Sequence, residues 1–201
     1  MGGRLTVLTD DRLDSLRPVI DARVKAAAEL VSEGAFVEFF DRVMCGHLVE
    51  ALARAGAHEG TVWLLDSTRS FLVPRFNTGP NAGDFVGSYR QSLRAGMISM
   101  VMATEQPICE NDVHENQQQD KTLDQQLGLW TCAMLAVPFY FAGELRGVIS
   151  AVRVKPADDA APNPPGFTVE NLGTLQLAAS VLSRMIEHQL VSLALGREEF
   201  Q

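Results

Sequence analysis

The chain of 201 residues is 46% hydrophobic and 21% charged, enough to bury one core of ordinary size with helical extensions. Its formal net charge of −8 repels phosphate backbones and anionic lipid, which argues against nucleic-acid and membrane-surface partners. Three scattered cysteines (Cys45, Cys109, Cys132) and four histidines without ligand spacing argue against a disulfide framework and a structural metal site.

No stretch approaches the roughly 18 uninterrupted apolar residues of a membrane span. The opening MGGRLTVLTDDRLDSLR puts acidic residues where a secretory apolar core would lie, so a cytoplasmic protein is expected. After Asp10 and Asp11, Leu13, Leu16, Ile20, Val24, Ala27 and Leu30 recur at helical spacing, predicting a helix that ends near Gly34. A second helix is predicted from about Val37 to Arg54, stopped by the segment from Gly56 to Gly60.

TVWLL (61–65) and FLVPRF (71–76) flank the turn DSTRS and read as antiparallel strands, with Pro74 making the second an edge or a strand end. DFVGSYRQSLRAG predicts a short helix capped by Asp84 and ended by Gly96. A further short helix from Met97 is expected to give way at Gln106-Pro107 to a brief strand. HENQQQDKTLDQQLGLW (114–130) is polar and weakly patterned, a loop or frayed helix lying over something.

MLAVPFYFAGELRGVISAV (134–152) spans parts of two strands, 132–139 and 145–154, joined by a turn over 141–144, each strand so continuously apolar that both faces must be covered. Prolines between 156 and 166 exclude helix and ladder alike, and Thr168 caps a long final helix. That helix carries Leu175, Ala179, Leu182, Ile186, Gln189 or Leu190, and Leu193 at 3-4 spacing, widened by Leu172, Val181 and Met185. Two apolar faces need two partners, expected to be the N-terminal helix and a second copy of the chain.

The run GMISMVMATEQPICENDV, then CAMLAVPFYFAGELRGVISAV, then GFTVENLGTLQLAASVLSRMIE resembles the GAF domain, the small-molecule sensor module of many bacterial signalling proteins. The likeness rests on Gly96 before Thr104-Glu105-Gln106-Pro107-Ile108, on Asn111-Asp112-Val113, on Val137-Pro138, on Gly147-Val148-Ile149, and on Phe167-Thr168 before Leu172. It covers roughly residues 37–192. The organisation expected is a helical extension over 1–36 and a GAF domain over 37–201.

The fold class implied is α+β: a central antiparallel sheet of five or six strands, helices from both chain ends on one face, and a pocket under loops on the other. The resemblance names no ligand and no cofactor. Polar residues that such a pocket would receive are Arg75 and Tyr89 at the rim, Ser99, Asp112, His114, Thr131, Cys132 and Ser150, with Trp63 and Met97 as apolar wall. Arg75 could pair with an anionic ligand, whereas Asp112 has an equal claim as a turn or cap residue.

DQQLGLW lacks the Cys-His pair by which bilin-binding members attach their chromophore, and the Asn-Lys/Arg…Phe-x3-Asp-Glu pattern of cyclic-nucleotide binders is missing. Cys109, Cys132 and Asp112-Val113-His114 faintly resemble free methionine-(R)-sulfoxide reductases, which use the same fold, without those enzymes' flanking motifs. The function expected is a non-catalytic regulatory domain, homodimeric through its terminal helices, that binds a small molecule and signals to a separate partner protein. A ligand-free dimeric scaffold and a thiol reductase are the alternatives.

Overall fold

The computed structural model describes residues 11–196. Asp10 and the side chains of Asp11 and Leu13, expected at the first helix start, lie outside what is described. Helix α1 (Asp11–Leu30) does not stop at Gly34. It runs on through a π-helical turn (Val31–Ala35) into α2 (Phe36–Phe39).

The predicted helix from Val37 is broken instead at Asp41. Its carboxylate accepts from the backbone N–H groups of Val43 and Met44, and this cap starts α3 (Arg42–Ala55) in a new direction. Gly56 at φ 65° closes α3 in the left-handed conformation that glycine adopts at least cost.

Strands β1 (Glu59–Leu65) and β2 (Phe71–Asn77) form the expected antiparallel pair. The predicted helix over 84–96 does not form. A single turn, α4 (Ala82–Phe85), buries Phe85; Gly87 at φ 79° then donates to the Pro74 carbonyl and turns the chain back. The next residues become strand β3 (Gln91–Ser92), paired only with Phe71 and Leu72, so β2 is an edge just where Pro74 has no N–H to offer.

Then follow α5 (Met97–Thr104), β4 (Ile108–Glu110), a 3₁₀ turn (Val113–Glu115) and α6 (Thr122–Leu127). The hairpin strands β5 (Leu129–Phe141) and β6 (Glu144–Pro156) are longer than their apolar runs. Ala142 and Gly143, both at positive φ, make their two-residue turn. Helix α7 (Val169–Ala194) starts on a reciprocal cap in which Thr168 and Asn171 exchange hydrogen bonds.

The six strands pair in the order β3-β2-β1-β6-β5-β4, with antiparallel neighbours throughout. Strand alternation divides the sheet into two faces. Val62, Leu64, Leu135, Val137, Phe139, Ile149 and Ala151 meet α1, α3 and α7 in one large core. Trp63, Leu65, Leu72, Ala136 and Val148 face the other way, against Ile98 and Val101 of α5. The hairpin is apolar on both faces because both are covered.

On α7, Leu172 and Met185 widen the stripe that joins the helix-side core. Leu177, Val191 and Leu193 remain exposed, as do Leu16 and Val19 of α1. Arg146 is buried beside the hairpin turn, where it bonds Glu29 of α1 at 2.6 Å and pairs with Glu144 at 3.2 Å. These ion pairs tie the N-terminal helix to the end of the sheet.

Candidate functional site

On the face away from the terminal helices, the sheet floors a cavity with about 90 Å³ of room. At roughly 10–15 Å³ per water, that is space for several waters or one compact organic molecule. Thr61 and Trp63 of β1, Thr131 and Met134 of β5, and Ser150, Val152 and Val154 of β6 form the floor. The roof comes from α6 and the loop before it (Gln119, Asp120, Leu123, Asp124, Leu127), with Gln91, Phe85 and Met97 closing the side.

Hydrogen bonds hold these groups in place. The Trp63 indole N–H donates to Ser150 Oγ at 2.9 Å, and Asn77 donates to Thr61 Oγ1 at 2.8 Å. The roof is anchored at two carboxylates. Asp124 accepts from the backbone N–H and hydroxyl of Thr131 at 2.9 and 2.8 Å, and Asp120 accepts from Gln91 Nε2 at 3.0 Å.

A β-bulge decides which residues reach the floor. Thr131 pairs with Val154 and Ala133 with Arg153, so Cys132 is the extra residue between them. Without it, alternation from Met134 would put Cys132 over the cavity and Thr131 beneath the sheet. With it, Thr131 lines the cavity, while the buried Cys132 thiol donates to the Trp130 carbonyl at 3.7 Å.

Electrostatics at the site are one-sided. Glu59, buried at 8% exposure, joins Asp120 and Asp124 in the wall, and no lysine, arginine or histidine lies among its described lining residues. Burial pushes the Glu59 carboxyl above its ordinary range, against the pull of its hydrogen bond with Asn77 and of His58. Bonds from Thr122 outweigh burial and lower Asp120. Tyr89 is pushed up to about 12, first by burial and then by Asp120 and Asp124.

A buried carboxyl with a raised pKa contributes fully to stability below its ordinary range and loses that contribution as pH rises through the raised value. Glu59→Gln is therefore expected to raise the melting temperature at neutral pH and change it little in acid. Equal effects at both pH values would show that Glu59 is not the group responsible.

The whole arrangement, a six-stranded antiparallel sheet between a terminal-helix layer and a loop-roofed cavity, coincides with a sequence match to the GAF domain family over residues 42–187. The chain belongs to the GAF domain family. No curated protein matches it. This GAF domain is similar to that of an Acinetobacter phosphoenolpyruvate-protein phosphotransferase: 17% identity, TM-score 0.57, covering 94% of this chain and 99% of that one.

The GAF domain of the corresponding Coxiella burnetii phosphotransferase gives 19% identity and TM-score 0.56, over 77% of this chain and 96% of that one. The GAF-B domain of DevS from Mycobacterium smegmatis gives 18% and 0.54, over 76% and 94%. At such identities the likeness is one of fold.

Of the residues singled out from the sequence, Trp63, Met97, Thr131 and Ser150 line the cavity of this GAF domain. The other six lie outside its lining. Arg75 is the additional residue where the β1–β2 register shifts. Tyr89 packs its ring edge-on to Trp63 and donates to Gln91 Oε1 at 3.2 Å. Ser99 is turned to the Ser92 carbonyl at 2.7 Å, fastening α5 to β3.

Asp112 is exposed at the start of the 3₁₀ turn. His114 stacks on Trp130, with 5.6 Å between ring centroids. Sequence reasoning passed over Glu59, Asn77, Gln91, Gln119, Asp120 and Asp124. For Glu59 a signal existed, since the two-residue period of β1 places residues 59, 61 and 63 on one face.

Proposed function

We propose that this GAF domain is a non-catalytic regulatory module: it binds a small molecule in the cavity and passes the occupancy to a separate protein partner through its helix layer. The carrying observation is the cavity itself, which Met97, Met134 and Phe85 border without filling. That favours a ligand site over a scaffold whose pocket has closed on its own side chains.

The route to the helices is short. Thr61, Trp63 and Ser150 on the cavity face alternate with Val62, Leu64 and Ile149 on the helix face of the same strands. A ligand moves the helices only if it binds two arrangements of them with different affinity. Dimerisation would cover the exposed Leu177, Val191 and Leu193 of α7 together with Leu16 and Val19 of α1. The three free thiols are in keeping with a cytoplasmic setting.

A thiol-reductase reading draws no support from the cysteines. The pKa of Cys109 and that of Cys132 are raised, by burial first and, for Cys109, by Glu110 beside it, which does not favour a thiolate, and neither lines the cavity. Native mass spectrometry of protein from its own host should reveal a bound small molecule. Absence of any guest, with no thermal shift across a metabolite panel, would sink the sensor reading. Turnover of free methionine sulfoxide by the wild type, lost in Cys109→Ser, would overturn the non-catalytic one.

A further inference from the structure

We infer that the cavity selects a small organic cation, an amine or guanidinium compound with a short apolar body. This deepens the proposal above and rests on the cavity being the ligand site. Three carboxylates, Glu59, Asp120 and Asp124, stand in its wall with no basic side chain among the described lining residues. A phosphate or carboxylate ligand would enter against like charge with nothing to pair it.

The neutral polar groups point the same way. The Gln119 amide N–H donates to Asp124 Oδ2 at 2.8 Å, which settles the orientation of the amide. Its Oε1 is left buried with no hydrogen-bond partner, an acceptor in the lining that a ligand N–H would satisfy. The Trp63 indole, fixed by its bond to Ser150, adds to the lining an aromatic ring of the kind that attracts ammonium and guanidinium groups.

An organic cation fits better than a metal ion. No three histidine, cysteine, aspartate or glutamate side chains converge as a metal-binding group among the described residues. Asp120 and Asp124 also spend acceptor capacity on Gln91, Thr122 and Thr131. Trp63, Met97 and Leu123 supply apolar contact that a hydrated metal would not use.

Glu59 is the main determinant. Its carboxylate lies directly against Gly79, which leaves it room there. Burial penalises this carboxylate by lost hydration, which Asn77 and His58 offset only in part, and a bound ammonium would offset it further.

The test is isothermal titration of the full chain with butylamine, putrescine and agmatine, against butyrate and butanol as anionic and neutral counterparts. At least one amine should bind saturably and about tenfold or more tighter than either counterpart, with Glu59→Gln weakening it by about tenfold. Binding of butyrate or butanol as tight as the amines overturns the inference and leaves the cavity reading standing. If no probe binds, the guest released by denaturing host-purified protein decides: a cation supports the inference, a neutral or anionic guest overturns it, and no guest overturns both. Should Glu59→Gln fail to fold, the wild-type comparison between charge types decides alone.

Discussion

Gly147→Ala is expected to cost about 3 kcal/mol or more of stability. Gly147 of β6 pairs with Leu64 of β1 on one side and Phe139 of β5 on the other. A Cβ there would overlap the Trp63 carbonyl oxygen and stand 3.0 Å from Leu64 Cα. Those are backbone atoms of a paired strand, and they cannot rotate aside as a side chain would. Because Trp63 is also cavity floor, the variant should lose ligand binding along with melting temperature. A melting curve within about 1 kcal/mol of wild type would mean that β1 and β6 are not packed as closely as described.

Phe36→Ala should cost about 3–5 kcal/mol, the range for a fully buried phenylalanine. Phe36 has no exposed surface and stacks on Phe40 at 5.0 Å, and Phe40 in turn meets Phe76 of β2 at 5.1 Å. This chain of rings fastens the N-terminal helical segment to the sheet. Ala27, Ala28 and Val31 lie in the same core, so removal of residues 1–36 should lower stability at least as much. Chemical denaturation would measure both. Wild-type stability in either variant would make the segment over 1–36 separable from the domain.

Where local chemistry and tertiary packing agreed, the sequence was a sound guide. The β5–β6 hairpin was legible because its apolar residues run without a polar break, and α7 because Thr168 precedes a long periodic stretch. The segment over 84–96 misled, since Asp84 and Gly96 look like helix ends. Burial of Phe85 and pairing of Gln91 with Leu72 outweighed a weak helical pattern. The break at Asp41 hid inside a continuous apolar period, because the same residue type serves equally as a helix surface and as a cap.

The cavity was harder to read than the fold. A bulge has no local signature, so nothing in GLWTCAML says that Thr131 rather than Cys132 faces the cavity. Asp120 and Asp124 sit in a polar stretch that looks like solvated loop, and they become wall only because Gln91 and Thr131 hold that stretch over the sheet.

Periodicity and composition by themselves determined that the hairpin strands would be covered on both faces, because burial of apolar side chains follows the repeat of the chain; that the terminal helices share one face was implied by the family resemblance. Which side chains enclose the hollow, and that its charge is negative, was decided only by tertiary structure. Register shifts and long-range hydrogen bonds between residues far apart in sequence leave no imprint on the local pattern of either partner.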